Sequence, residues 1–248
     1  MITSSGHLEE LRHRLLISFL AIFVFSIIAY IFSEQIARFF MIPLFRSQPA
    51  PVKLVYTNLT EAFISYLKVS LLVGITCSIP VLIYEIWMFI SPGLHQHEKR
   101  VILKVVFWAS LLFAAGACFA FFIVLPRALN FLMGFAGPQL TPLPKLGGYL
   151  TFVARASLGF GLAFEIPFLM VAAVKTNFVK RKYFTRKRKY FYPGILFLAL
   201  LLAAGDLMAA VLLALPLCGL YETGILVINL FTREGKDIQN EEEEKSSE

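Results

Sequence analysis

The chain has 248 residues, 58 % of them apolar, with a mean hydropathy of +0.74, and a water-soluble core could not absorb that much apolar surface, so lipid must be the solvent for most of it. A net charge of +7 does not point to nucleic acid, because the basic residues form short clusters between apolar stretches, where a membrane protein keeps its topology signals. Cys77, Cys118 and Cys218 each stand alone inside an apolar run, which excludes paired redox or clustered zinc chemistry and leaves them as small apolar residues.

In chain order, Leu8, Leu11 and Leu15 share one helical stripe, with Glu9, Glu10, Arg12 and Arg14 between them, which predicts an amphipathic helix entering the membrane. The apolar run that follows ends at Phe32, Ser33 and Glu34 without an A-x-A-like cleavage site, so it reads as a retained span rather than a signal peptide. A crossing helix needs about 20 apolar residues, and four stretches meet that need: 15–33, 62–90, 101–125 and 149–174. The apolar region 190–231 is too long for one helix and is broken at Gly205 and Asp206, giving spans 190–204 and 207–231. The fifth is shorter than the hydrocarbon is thick, so it calls for a thinned bilayer or shielding by neighbours. The expectation is an all-α polytopic membrane protein: one six-helix domain over 1–231 and a charged tail, 232–248, without regular structure.

Between the first two spans, Ile36, Phe39, Phe40 and Leu44 recur at helical spacing, predicting a short interfacial helix before the turn residues Pro49 and Pro51. Pro80 should kink the second span, while Pro92 and Gly93 fix a turn before the third. Glu98, near the start of that third helix, reads from its position as an acid complementing a helix N-terminus. His95 and His97 lack the further ligands a metal site needs, so no metal or other cofactor is expected.

In the fourth span Glu165 lies deep in an apolar run, where an ionised carboxylate is costly, so it must be protonated, paired or hydrated. Either it faces a hydrated concavity or a partner helix, or it donates as a neutral acid within the bundle. Gly159 and Gly161 allow close helix approach, and Pro167 removes a donor two residues on, so this span should bend around the acid. With six spans, the basic clusters at Arg12 and Arg14, Lys99 and Arg100, 180–189, and Arg233 and Lys236 all fall on one side, which makes both termini cytoplasmic.

No nucleophile–base pair, phosphate loop or metalloprotease motif occurs, so the chain is not expected to be an enzyme, and its energy source must lie elsewhere. No internal repeat is visible, which counts against an inverted-repeat transporter.

Taken together, H-L-E-E-L-R-H-R-L at His7 to Leu15, F-I-S-P-G-L at Phe89 to Leu94, H-E-K-R at His97 to Arg100 and F-E-I-P at Phe164 to Pro167 resemble the TatC family, over nearly the whole chain. The resemblance implies a bent, glove-like bundle in the bacterial cytoplasmic (inner) membrane. It also implies a core receptor of the twin-arginine translocase that binds twin-arginine signal peptides of folded proteins. Export would then use TatA- and TatB-like single-span partners, further copies of the chain and the proton motive force. By motif, Glu10 and Glu98 fall on the family's signal-binding acids, which overrides the purely positional reading of Glu98; carboxylates suit guanidinium groups because they can accept two parallel bonds. Glu165 falls on an acid implied to line the concave face or to contact a partner helix. Glu61 matches a motif at the start of the second span, where an acid suits a helix N-terminus and the role is structural. Before Asp206 the family usually has a proline-containing turn; here Ala203, Ala204 and Gly205 stand instead. The alternative is a proton-coupled small-solute transporter with Glu165 as relay.

Overall fold

The computed structural model describes residues 4–47, 54–56, 58, 60–90, 96–134, 143–175, 178–180 and 182–245; the side chains of 4–7, 47, 90, 96–102, 175, 182 and 231–245 lie outside that description. The described residues are almost entirely helical: α1 (Ser4–Ile31), α2 (Ser33–Phe40), α3 (Ile42–Ser47), α4 (Glu61–Ile90), α5 (Gln96–Phe119), α6 (Leu125–Gly134), α7 (Leu146–Lys175), α8 (Lys182–Arg186), α9 (Arg188–Leu202) and α10 (Leu207–Lys245). A parallel bridge, Val55 to Lys145, ties the approach to α4 to the approach to α7: Val55 N donates to Pro144 O at 3.2 Å, and Leu146 N donates to Val55 O at 2.9 Å.

Among the described residues, five stretches are long and apolar enough to cross a membrane: Leu8–Ile31, Glu61–Phe89, Leu103–Gly134, Leu146–Val174 and Leu207–Leu230. The fifth predicted span corresponds to α9, whose 15 residues amount to about 22 Å at 1.5 Å rise each. The third stretch runs further than 101–125. One π-helical turn, Ala120–Val124, joins α5 to α6, and the helix continues to Gly134. Pro126 brings no N–H to the preceding turn, and the extra residue of a π turn carries the helix across that gap instead of ending it. The tail also differs from expectation, because α10 remains helical through Lys245. Glu and Lys are good helix formers, and no proline follows Pro216, so the polar segment propagates a helix already nucleated in the span.

Two compact units divide the chain, Met1–Gly161 and Leu162–Glu248. In the first, α1 packs along α4, and the two backbones meet so closely at Gly74 that a Cβ there would overlap the main chain of Ser26. Close approach of this kind replaces the hydrophobic drive that helices lack inside lipid. Gly161 meets the ring of Phe113 in the same manner. The expected interfacial helix forms as two pieces, α2 and α3, whose Phe40 and Leu44 bury against Val69, Phe121, Leu125 and Leu150. The Tyr149 hydroxyl donates to Phe40 O at 2.6 Å, and Phe39 stacks on Phe121 with ring centroids 4.6 Å apart. Outward on α1, Leu16, Phe19, Leu20 and Phe23 are exposed, as a lipid-facing surface requires.

In the second unit α9 returns against α10. Tyr221, fully buried, stacks on Phe191 at 4.9 Å, and its hydroxyl donates to Phe184 O at 2.8 Å, which ties α8 to α10. The turn between α9 and α10 carries two positive φ angles, 54° at Ala204 and 88° at Gly205. Gly205 N donates to Leu200 O at 3.0 Å and Ala204 N to Leu201 O at 3.3 Å, the paired bonds of a Schellman stop. Asp206 then accepts from Met208 N and Ala209 N through Oδ1 at 2.9 and 3.1 Å, capping α10. A proline is therefore unnecessary: the left-handed stop and the aspartate cap reverse the chain between them.

Candidate functional site

Near the N-terminal end of α1, Glu10 and Arg14 stand one helical turn apart, so their side chains meet on one face. Arg14 donates to Glu10 Oε1 twice, from Nε at 3.1 Å and from Nη2 at 2.6 Å. Its remaining arm, Nη1, donates to Glu85 Oε2 at 3.0 Å, across to the last turns of α4. One guanidinium thus bridges two carboxylates of very different accessibility: the Glu10 side chain is 33 % exposed and that of Glu85 only 9 %. Glu85 lies in the apolar run Tyr84, Glu85, Ile86, and its ion pair supplies the compensation that a buried charge needs. Counted over these three side chains, the cluster carries a net charge of −1.

The other predicted positions are distributed differently. Glu98 falls in the first turn of α5, and its side chain lies outside the described residues. Pro92 and Gly93 also lie outside the described residues. Glu61 opens α4, and a Cβ added at Gly147 would meet its Oε1 at 3.5 Å, so this acid lies over the first turn of α7 as well as its own. Pro80 and Pro167 are accommodated inside α4 and α7, both of which continue through them. Glu165 is 9 % exposed on α7, in the second unit, two residues before Pro167. A turn further on, Met170 packs against Gly224 of α10.

Sequence reasoning missed two acids that the fold puts in ion pairs. One is Glu85; the other is Glu222, on α10, which accepts from Arg188 Nη2 at 2.7 Å and from the Tyr192 hydroxyl at 2.5 Å. The signal was available, since each interrupts an apolar helix just as Glu165 does, and the cost of an acid in lipid applies equally to all three. Among the described residues no group of His, Cys, Asp and Glu could hold a metal ion.

The family model for the Sec-independent protein translocase protein, TatC, matches residues 6–216. The chain belongs to the TatC family. TatC of Desulforapulum autotrophicum is 38 % identical over 242 residues, 96 % of this chain and 87 % of that one. TatC of Aquifex aeolicus is 39 % identical over 235 residues, covering 94 % and 97 % of the two chains. The crystal structure of a twin-arginine translocase receptor, TatC, superposes with a TM-score of 0.83 at 37 % identity, over 91 % of this chain and 99 % of that one. A second crystal structure of that receptor, in DDM, gives 0.80 at the same identity. As a member of this family the chain is an integral protein of the bacterial inner membrane and a core transport component of the twin-arginine protein translocase, not an enzyme.

Proposed function

We propose that this chain is the subunit that reads the twin-arginine signal peptides of folded export substrates, through the carboxylates of Glu10 and Glu98. The carrying observation is that Glu10, on a partly exposed helix face, is already engaged by a guanidinium through two N–H groups. A site that holds one guanidinium in this way suits another, and a lysine ammonium lacks the rigid planar fork whose two N–H groups converge here on Oε1. The receptor would lie in the cytoplasmic membrane with six spans, α9 being the short fifth, the basic clusters inside and both termini cytoplasmic. Its bundle would be glove-like, with TatA- and TatB-like single-span subunits and further copies of the chain assembling around it. Glu165, deep in α7, is then the acid that lines the concave face and meets the polar residue of a partner helix.

Binding of a labelled twin-arginine signal peptide to the chain in nanodiscs tests the reading, with a twin-lysine peptide as control. Glu10→Ala and Glu98→Ala should each weaken binding by about tenfold or more, and the double variant should abolish arginine selectivity. Equal binding of both peptides to all variants would overturn the receptor assignment and favour proton-coupled solute transport through Glu165.

A further inference from the structure

Glu10 and Glu85 share one guanidinium, but they differ in what the solvent can reach. Arg14 itself is 17 % exposed and lies between an accessible carboxylate and a buried one. A guanidinium arriving from outside meets Glu10 first and competes there with a group the chain already supplies.

We propose that Arg14 is a built-in occupant of the Glu10 site, and that Glu85 is the positioning acid that keeps Arg14 paired when an arginine of the ligand takes its place. The inference rests on the receptor reading of Glu10 and adds how the site is emptied. Withdrawing Arg14 from Glu10 costs two charge-assisted bonds, which the incoming arginine replaces on the same oxygen, Oε1. Arg14 keeps its bond to Glu85, so neither a buried carboxylate nor a guanidinium is left without a partner during the exchange. Lysine cannot substitute in this exchange, since one ammonium cannot reproduce the fork it must displace. Glu85 thus raises the affinity of a ligand it does not touch.

Removing Glu85 alone and removing it together with Arg14 therefore have different outcomes. In Glu85→Gln, Arg14 has Glu10 as its only ionic partner of the pair and holds it more tightly, so twin-arginine peptide binding should weaken by about tenfold, the scale of one charge-assisted hydrogen bond. Arg14→Gln removes the competitor but leaves Glu85 a buried acid, so the informative variant is the double, Arg14→Gln with Glu85→Gln, which has neither. It should bind at least as tightly as the wild type, although it lacks two charged groups of the cluster. Peptide titration in nanodiscs on the wild type, Glu85→Gln and the double variant, with thermal unfolding of each, decides the matter. Rescue by the second substitution supports the exchange. Equal binding by Glu85→Gln and the wild type, or a double variant as weak as Glu85→Gln, would overturn it and leave Arg14 a clamp between α1 and α4. If the wild type does not prefer twin arginine to twin lysine, the receptor reading fails first, and the exchange falls with it.

Discussion

Ala204 adopts φ 54°, a left-handed conformation that a Cβ makes costly, at the position of a Schellman stop where glycine is usual. Ala204→Gly should therefore stabilise the α9–α10 hairpin by about 1 kcal/mol, and Asp206→Ala should destabilise it by about 0.5–2 kcal/mol through loss of the cap. Thermal unfolding in one detergent, wild type against each variant, would read both signs, and a destabilised Ala204→Gly would refute the account of this turn. The conformational demand was not legible in the sequence, because alanine carries no turn signal and only Gly205 and Asp206 marked a break. Glu85 was concealed in a different way: its run is apolar enough to pass as part of a span, and its partner stands 71 residues earlier. Glu165, by contrast, could be picked out because Gly161 and Pro167 surround it with further irregularity.

At the scale of elements, α1 and α4 pack along one another and come close where Gly74 meets Ser26. Gly74→Ala would drive a methyl group into the Ser26 backbone, and overpacking of that kind costs about 1–3 kcal/mol. The expected result is a lowered midpoint of unfolding together with weaker peptide binding, since α1 and α4 carry Glu10 and Glu85; unchanged unfolding would show that the crossing relaxes freely. Most helices could be placed from apolar run length alone: α4 and α7 begin and end within three residues of the predicted 62–90 and 149–174. Where sequence reasoning stopped short, the reason was local chemistry. Pro126 reads as a helix end, yet the π turn before it lets α5 continue into α6. The polar tail reads as featureless, yet its Glu-rich composition extends α10.

At the scale of the whole molecule, each unit joins two of its helices by an ion pair and leaves apolar side chains exposed along the helix walls, as a lipid solvent requires. The class and the family were legible because run lengths, basic clusters and four short motifs agree in order along one chain. The pairing of Arg14 with two acids was not, since it depends on how closely α1 and α4 cross, which no run length encodes.

On the proposed reading that α9 crosses the bilayer, its 15 residues also bear on the electrical work of transport. Where lipid conforms to a helix of about 22 Å rather than about 30 Å of hydrocarbon, the same transmembrane voltage falls over roughly three quarters of the distance. The local field rises by about a third, and the low-dielectric barrier before a polar cargo shortens by about a quarter. Vesicles made from lipids of increasing acyl length should therefore transport progressively less at constant voltage, and a rate indifferent to acyl length would mean that α9 does not set the thickness of the barrier.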